Sequence, residues 1–446
     1  MSNIDVATKV SDASERLGVS FLTLGCAKNE VDTADMKRAV VSAGFGVVDD
    51  PGQASAVVVN TCSFIQTAIE ESIDAILEAA ALDNVARGDA KLIVSGCLPS
   101  RFGADLETEL EEASAFVPCA GESDIADVLE SLFGPQPEPD AALGAHLFDG
   151  NAAAYVKIGD GCDHFCSFCS IPYIRGRYRS FTYERIREAV ARQVSYGVRE
   201  ITLIAQDTGR WGCDLEGDRT LAWLIDALAS EFADTWFRVM YLEPEGVTDE
   251  LLDVMASRSN VCRYLDIPVQ HASERVLVSM RRSGDARRFL DLFAHARERV
   301  EGIAMRTTVI AGFPGETDED FSELLDFLEQ ADLDYVGVFP YSREDGTRAA
   351  RMEGQIDEET KLARAQEVRD LCDALAFSRV SSRIGDVMDV VVLGREEDGR
   401  VYGRAMCQAP EVDGVVYLDG GTAGDVVKAR IVDTLAYEME GEIVHG

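Results

Sequence analysis

One alternation governs this chain from about residue 18 onward: short runs of branched apolar residues take turns with longer stretches of helical spacing. FLTLG (Phe21–Gly25), AVVVN (Ala56–Asn60) and KLIVSG (Lys91–Gly96) read as strands, and Glu30–Ala43 and Phe64–Leu82 read as helices. Ser123 is placed to cap a further helix ending near Phe133. Continuous apolar strands between helices are what a parallel sheet covered on both faces requires. The spacing therefore predicts an α/β chain that begins with a doubly wound parallel-sheet domain over 18–133. Residues 1–17 read as a tail, and 134–151, with three prolines, as a linker.

Beyond the linker the alternation continues for six more units. Candidate strands are 154–159, 200–205, 237–242, 263–268, 303–312 and 335–340, with helices near 182–197, 219–232, 248–257, 285–300, 317–331 and 357–379. Six βα units over 152–380 make a partial (βα)6 barrel rather than the closed eight-unit one. From Ser381 the pattern switches to apolar–polar alternation with glycine turns, which predicts a small antiparallel five-strand β-barrel over 381–446.

Three of the eleven cysteines stand in GCDHFCSFC (Gly161–Cys169): Cys162, Cys166 and Cys169, spaced C-x3-C-x2-C after the first strand of the central part. Thiolates this close can hold three irons of a 4Fe–4S cube and leave the fourth without a protein ligand. An open iron takes a chelating amine and carboxylate, both of which S-adenosylmethionine carries. A zinc site with His164 as fourth ligand is the alternative, although zinc sites usually add a second ligand pair and none is evident downstream. Cys26, Cys62 and Cys97 each follow an N-terminal strand, at separations of 36 and 35 residues. Strand ends in a parallel sheet share one edge, where such folds bind ligands. One cysteine there reads as a small buried hydrophobe; three in one phase read as a second three-thiolate site. The first residues lack the basic-then-apolar pattern of a signal peptide, and no apolar run reaches about eighteen residues. A cytoplasmic location is expected, where an odd number of cysteines argues for metal or catalysis over disulfides. Cys119, Cys213, Cys262, Cys372 and Cys407 read as inert buried thiols.

The cysteine spacing, with Phe168 just before the third cysteine, resembles the radical S-adenosylmethionine superfamily. With the N-terminal trio and the terminal barrel added, the chain after residue 17 resembles the methylthiotransferase family. LGCAKNEVD (Leu24–Asp32), NTCSF (Asn60–Phe64), SGCLPSR (Ser95–Arg101), KIGDGCDHFCSFCSIPYIRGRYRS (Lys157–Ser180) and AGFPGET (Ala311–Thr317) carry the likeness. IAQDTGRWG (Ile204–Gly212), YLDIPVQHAS (Tyr264–Ser273), FPYSREDGTRAA (Phe339–Ala350) and APEVDGVVYLDG (Ala409–Gly420) resemble the RimO-type branch. That branch adds a methylthio group to the β-carbon of one aspartate in the twelfth protein of the small ribosomal subunit. Ala27, Asp163 and Ile174 depart from its usual proline, asparagine and methionine, and none of them is a ligand position.

The resemblance implies a radical-SAM partial barrel in the centre, a TRAM-like terminal barrel, two 4Fe–4S clusters and S-adenosyl-L-methionine. It implies that a cube on Cys162, Cys166 and Cys169 cleaves S-adenosylmethionine reductively, and that one on Cys26, Cys62 and Cys97 holds the sulfur to be transferred. Phe168 is expected beside the first cube or the adenine, or else in the core. Gly312 and Gly315 offer close backbone approach to a nucleoside, or form a plain turn. Gln206 and Asp207, ending the second barrel strand, are candidates for cofactor or substrate contact, or solvated loop residues. His271 reads as a structural histidine. Arg175, Arg177 and Arg179 either bind an anion or pair with acidic neighbours.

Charge adds an independent argument. The chain carries a net −38, and its terminal segment has six basic against thirteen acidic residues. A phosphate backbone would be repelled, whereas a basic small-subunit ribosomal protein would be attracted as substrate. An external electron donor and indirect contact with ribosomal RNA complete the expected partners, with no membrane. Two other readings compete: a transfer-RNA adenosine methylthiotransferase, and a non-catalytic iron–sulfur electron carrier or RNA-binding protein.

Overall fold

The computed structural model describes residues 16–138 and 150–445. The tail read over 1–17 and the linker read over 134–151 lie mostly outside the described residues. Those before Gly150, together with Tyr173–Arg175, form one compact unit; Gly150–Pro172 and the chain from Gly176 form another.

In the first unit, β1 (Gly18–Thr23), β2 (Gly46–Val47), β3 (Ala56–Thr61), β4 (Lys91–Gly96) and β5 (Ala115–Pro118) make a parallel sheet in the order β2-β1-β3-β4-β5. Alternate residues of β3 serve opposite faces. Ala56 and Val58 pack with Met36, Val40 and Leu129, while Val57 and Val59 pack with Ile76, Leu98 and Leu106. Two cores, one per face, are what double winding means, as the apolar runs predicted. Some boundaries differ. The first helix spans Ala27–Ser42, three residues ahead of the expected Glu30. Ser123 is not a cap: a 3-10 turn (Cys119–Asp124) precedes the helix Ile125–Phe133, and the Ser123 hydroxyl turns to the Asp124 carboxylate at 3.0 Å.

In the second unit six parallel strands, β6 (Ala153–Lys157), β9 (Glu200–Ile204), β10 (Trp236–Val239), β11 (Tyr264–Asp266), β12 (Ala304–Ala311) and β13 (Tyr335–Pro340), follow one another as two three-stranded ladders. The ladders are joined by a bridge from Phe237 to Val261 and by the Leu242 N–H donating to Asp266 O at 2.9 Å. Between β6 and β9 the chain makes a small antiparallel pair, β7 (Gly159–Asp160) with β8 (Arg179–Ser180). Among the described residues no pairing joins β13 back to β6, so the barrel is partial. A helix at Glu274–Met280 was not legible in the sequence.

β14 (Val387–Arg395), β15 (Val401–Ala405), β16 (Val416–Leu418), β17 (Val426–Leu435) and β18 (Glu438–Ile443) close into a barrel in the order β14-β15-β16-β18-β17. Four neighbouring pairs are antiparallel, as expected, and β16–β18 is parallel. An odd ring of strands cannot alternate direction all the way round, so one parallel junction is unavoidable.

Buried ions fasten this barrel to the six-strand one. Glu200 on β9 accepts 2.8 Å hydrogen bonds from Arg238 on β10 and from Arg404 on β15. Burial works to raise the Glu200 pKa, but the two guanidiniums outweigh it and hold the carboxylate ionised. The Tyr264 hydroxyl donates to Asp413, in the connection between β15 and β16, and Arg306 lies 3.5 Å from the other Asp413 oxygen. No helix among the described residues is long and apolar enough to cross a membrane.

Candidate functional site

In the first unit each cysteine of the trio stands directly beyond a strand, on the edge the parallel sheet dictates. Cys26 is the N-cap of the first helix, Cys62 follows β3, and Cys97 follows β4 and opens the helix Cys97–Phe102. Gly25 permits this, since its φ is +97° and a Cβ there would lie 2.7 Å from the Cys62 Cβ. Asn29 ties the loops together: its amide donates to Leu24 O and Thr61 O, both at 2.9 Å. The remaining oxygen of Asn29 accepts from Arg175 at 2.8 Å, with the Cys26 Sγ 3.8 Å away. Arg175, whose side chain is 2% exposed, also pairs with Asp32 at 2.9 Å and points Nη2 at the Cys97 Sγ, 3.7 Å distant. Burial pushes the Cys62 thiol up, with Arg175 pulling the other way.

A fourth thiol adjoins this trio. Cys119 is half-buried, with its Sγ 3.9 Å from that of Cys97, and that hydrogen bond, then burial, push its pKa far up. Cys213 is exposed, and of the five thiols expected to be buried only Cys262, Cys372 and Cys407 are. Sequence gave no sign of this, because Cys119 follows a four-residue strand that its composition does not announce.

In the second unit Cys162, Cys166 and Cys169 lie on the loop after β6, as expected. The loop is pinned by backbone bonds: Cys162 N–H to Gly176 O (3.1 Å), Ser167 N–H to Met280 O (2.9 Å) and Ala349 N–H to Ser167 O (2.7 Å). Burial raises all three thiols, Cys162 to about 11, and Cys166 raises both of its partners further. Arg282 opposes this at Cys166, with Nη1 3.8 Å from its Sγ. Arg282 is itself held by the Glu243 carboxylate and by Pro268 O at 2.7 Å. His164 is engaged at Nε2, which meets Asp207 Oδ2 at 2.6 Å, a contact that raises the imidazole pKa.

The remaining candidates divide. Asp207 is buried and engaged with His164 and with the Gly209 N–H at 3.1 Å, and Gln206 donates to Asp160 at 2.9 Å. Phe168 is half-buried. Gly312 makes room for Lys361, whose Cγ would lie 2.4 Å from a Cβ there, and its N–H donates to Glu316 at 2.8 Å. Gly315 donates its N–H to Gly354 O at 2.8 Å. His271 is buried, accepts the Ser273 N–H at Nδ1 and lies 3.5 Å from Glu316. Arg177 pairs with Asp163 at 2.8 Å, while exposed Arg179 stands 6.0 Å from the Phe181 ring. Asn29, Asp32, Glu243, Arg282 and Glu316 were not singled out by sequence. Asn29 and Asp32 stand in LGCAKNEVD and Glu316 in AGFPGET, stretches that carry the family likeness, whereas Glu243 and Arg282 lie in no stretch quoted for it.

Both trios offer cysteine sulfur, the usual donor to an iron–sulfur cube. A zinc ion with Zn–S bonds of about 2.3 Å draws its thiolates to within about 3.8 Å of one another. Among the described residues no group of three or more His, Cys, Asp or Glu side chains gathers for one metal ion. A cube spreads its cysteines over separate irons, and each trio offers three cysteine sulfurs as donors. Thiols raised by burial ionise more readily beside a cation.

The radical SAM superfamily model matches residues 156–328, the model of the uncharacterized protein family UPF0004 matches 18–118, and the TRAM domain model matches 384–444. The chain is 39% identical to a ribosomal protein uS12 methylthiotransferase RimO of Pelobacter propionicus, covering 97% of this chain and 99% of that one. It is 40% identical to the protein of that name in Symbiobacterium thermophilum, covering 96% and 92%. Among solved structures it is similar in fold to the radical S-adenosylmethionine methyltransferase TsrM of Kitasatospora setae, solved with tryptophan substrate and a SAM analog. That match has a TM-score of 0.56 and 16% identity, covering 74% of this chain and 75% of that one.

Proposed function

The chain belongs to the RimO family of radical SAM methylthiotransferases, and from that membership we propose that it thiomethylates one aspartate β-carbon of ribosomal protein uS12 with two 4Fe–4S cubes and S-adenosylmethionine. What carries the reading is the presence in one chain of two separate three-cysteine sites, each with a buried arginine on one sulfur. Cys162, Cys166 and Cys169 would hold one cube, whose chemistry would be reductive cleavage of S-adenosylmethionine, and Cys26, Cys62 and Cys97 would hold the other, which would supply the sulfur to be transferred.

The chain's own residues hold and shield these groups. Backbone bonds through Ser167 fix the cysteine loop, and Asp207 holds the His164 ring. Gln206 and Asp207, at the end of β9, together with Phe168, Gly312 and Gly315, are the residues we assign to the nucleoside side of the site. The acidic terminal barrel attracts a basic substrate protein and would oppose a transfer RNA. An external reductant delivers the electrons in the cytoplasm, and ribosomal RNA is met only through the substrate protein.

Intact-mass measurement of uS12 from cells with and without this enzyme tests the reading, the expected difference being one methylthio group. Cys162→Ala is expected to abolish 5′-deoxyadenosine formation, and Cys26→Ala to retain it while losing thiomethylation. An unchanged uS12 mass alongside a lost transfer-RNA base would transfer the activity to the nucleic acid.

A further inference from the structure

The two cysteine trios share a feature that neither spacing nor ligand type requires: a desolvated arginine, anchored by a carboxylate, aimed at one sulfur. At the first, Arg175 is held by Asp32 and Asn29 and reaches the Cys97 Sγ at 3.7 Å. At the second, Arg282 is held by Glu243 and Pro268 O and reaches the Cys166 Sγ at 3.8 Å. Both side chains are nearly closed off from solvent, at 2% and 7% exposure. Burying a guanidinium is costly unless its partners repay it, and one carboxylate leaves N–H groups to spare. In each case a spare N–H faces a thiol that the cube reading makes a thiolate.

Resting on that two-cube reading, we infer that Arg175 and Arg282 are positioning residues that set the reduction potentials of the two cubes, one each. A cube on three thiolates carries net negative charge, which grows by one on reduction. A fixed cation and an N–H to sulfur stabilise the more negative state, so they raise the potential. The fork geometry matters as well as the charge. In Arg282 the nitrogen on the sulfur, Nη1, also donates to Glu243, and in Arg175 the nitrogen on the sulfur, Nη2, also donates to Asn29, so the anchoring partners orient the fork at the sulfur. Lysine keeps the charge and loses the fork.

Full-length chains with Cys162, Cys166 and Cys169 all replaced by alanine retain only the first trio; chains with Cys26, Cys62 and Cys97 replaced retain only the second. Iron and sulfide content after anaerobic reconstitution of these two parents tests the two-cube reading, and a parent that holds no cube refutes it. Redox titration followed by electron paramagnetic resonance then tests the inference. Arg175→Met in the first parent and Arg282→Met in the second are each expected to load iron and shift the midpoint to more negative potential. The lysine variants are expected to fall between. An iron-loaded methionine variant with its parent's midpoint overturns the inference. Should a methionine variant not assemble its cube, the lysine variant decides: assembly with lysine supports charge compensation, and failure with lysine too shows a purely structural arginine.

Discussion

The closeness of Gly25 to Cys62 makes a single hydrogen atom matter. With φ at +97° and the Cys62 Cβ only 2.7 Å from where a Cβ would stand, Gly25→Ala must move either the loop after β1 or the one after β3. The strained conformation costs about 1–3 kcal/mol, and the displaced sulfur loses its place in the trio. The expected outcome is iron content reduced by about half, 5′-deoxyadenosine formation retained, and a lowered Tm in the same preparation. Iron content equal to that of the parent chain counts against it. At this scale the six cysteines stood out in the sequence, because ligand type and spacing are local properties. Of the residues that hold them only Arg175 did, as an anion binder or the partner of an acidic neighbour, and its actual partners did not. Arg175 meets Asp32 across 143 positions and Arg282 meets Glu243 across 39, separations that no periodicity reports.

Elements were legible where burial is uniform. All six residues of β3 are buried, so the run AVVVNT announced itself, and the same holds for β9. The early start of the first helix was not, since Ala27, Lys28 and Asn29 carry no apolar period; tertiary hydrogen bonds to Asn29 place that turn. The helix Asp318–Ala331 shows the opposite case, a start encoded locally. Thr317 accepts from the Asp320 N–H, and Asp320 accepts the Thr317 N–H in return, at 3.3 and 2.8 Å. Although burial works against it, hydrogen bonds from Arg275, Ser273 and Thr317 hold the Asp320 carboxyl well below the usual range. Thr317→Ala is expected to cost about 1 kcal/mol in urea unfolding. The Asp320→Asn change is expected to cost more, since Ser273 and Arg275 lose their charged acceptor as well. Equal losses would mean that those two contacts add nothing beyond the cap.

At the scale of the whole second unit, two buried networks join the six-strand barrel to the terminal one, and they respond to pH in opposite senses. Glu200 has its pKa lowered, so its contribution is present above the unfolded value of about 4.3 and is lost only as pH falls below it. Above about pH 5 it is constant. Asp413 is the reverse: burial raises its pKa to about 6 from an ordinary 3.8, against the pull of Arg306 and the Tyr264 hydroxyl. A raised acid favours the folded state while protonated, so its contribution is full below the unfolded pKa and disappears as pH rises through about 6. Linkage makes the change about 1.5 kcal/mol between about pH 5 and about pH 8. The difference in unfolding free energy between the parent chain and Asp413→Asn isolates this group, because every other titration cancels. The parent's advantage is expected to shrink by that amount over the interval, measured by urea denaturation at each pH. A difference that stays flat would place Asp413 in solvent-like surroundings and sever the link drawn here between the two barrels. A difference that grows with pH would mean that Arg306, rather than burial, governs the carboxyl. The Arg306–Asp413 pair would then be the stronger fastening between the barrels.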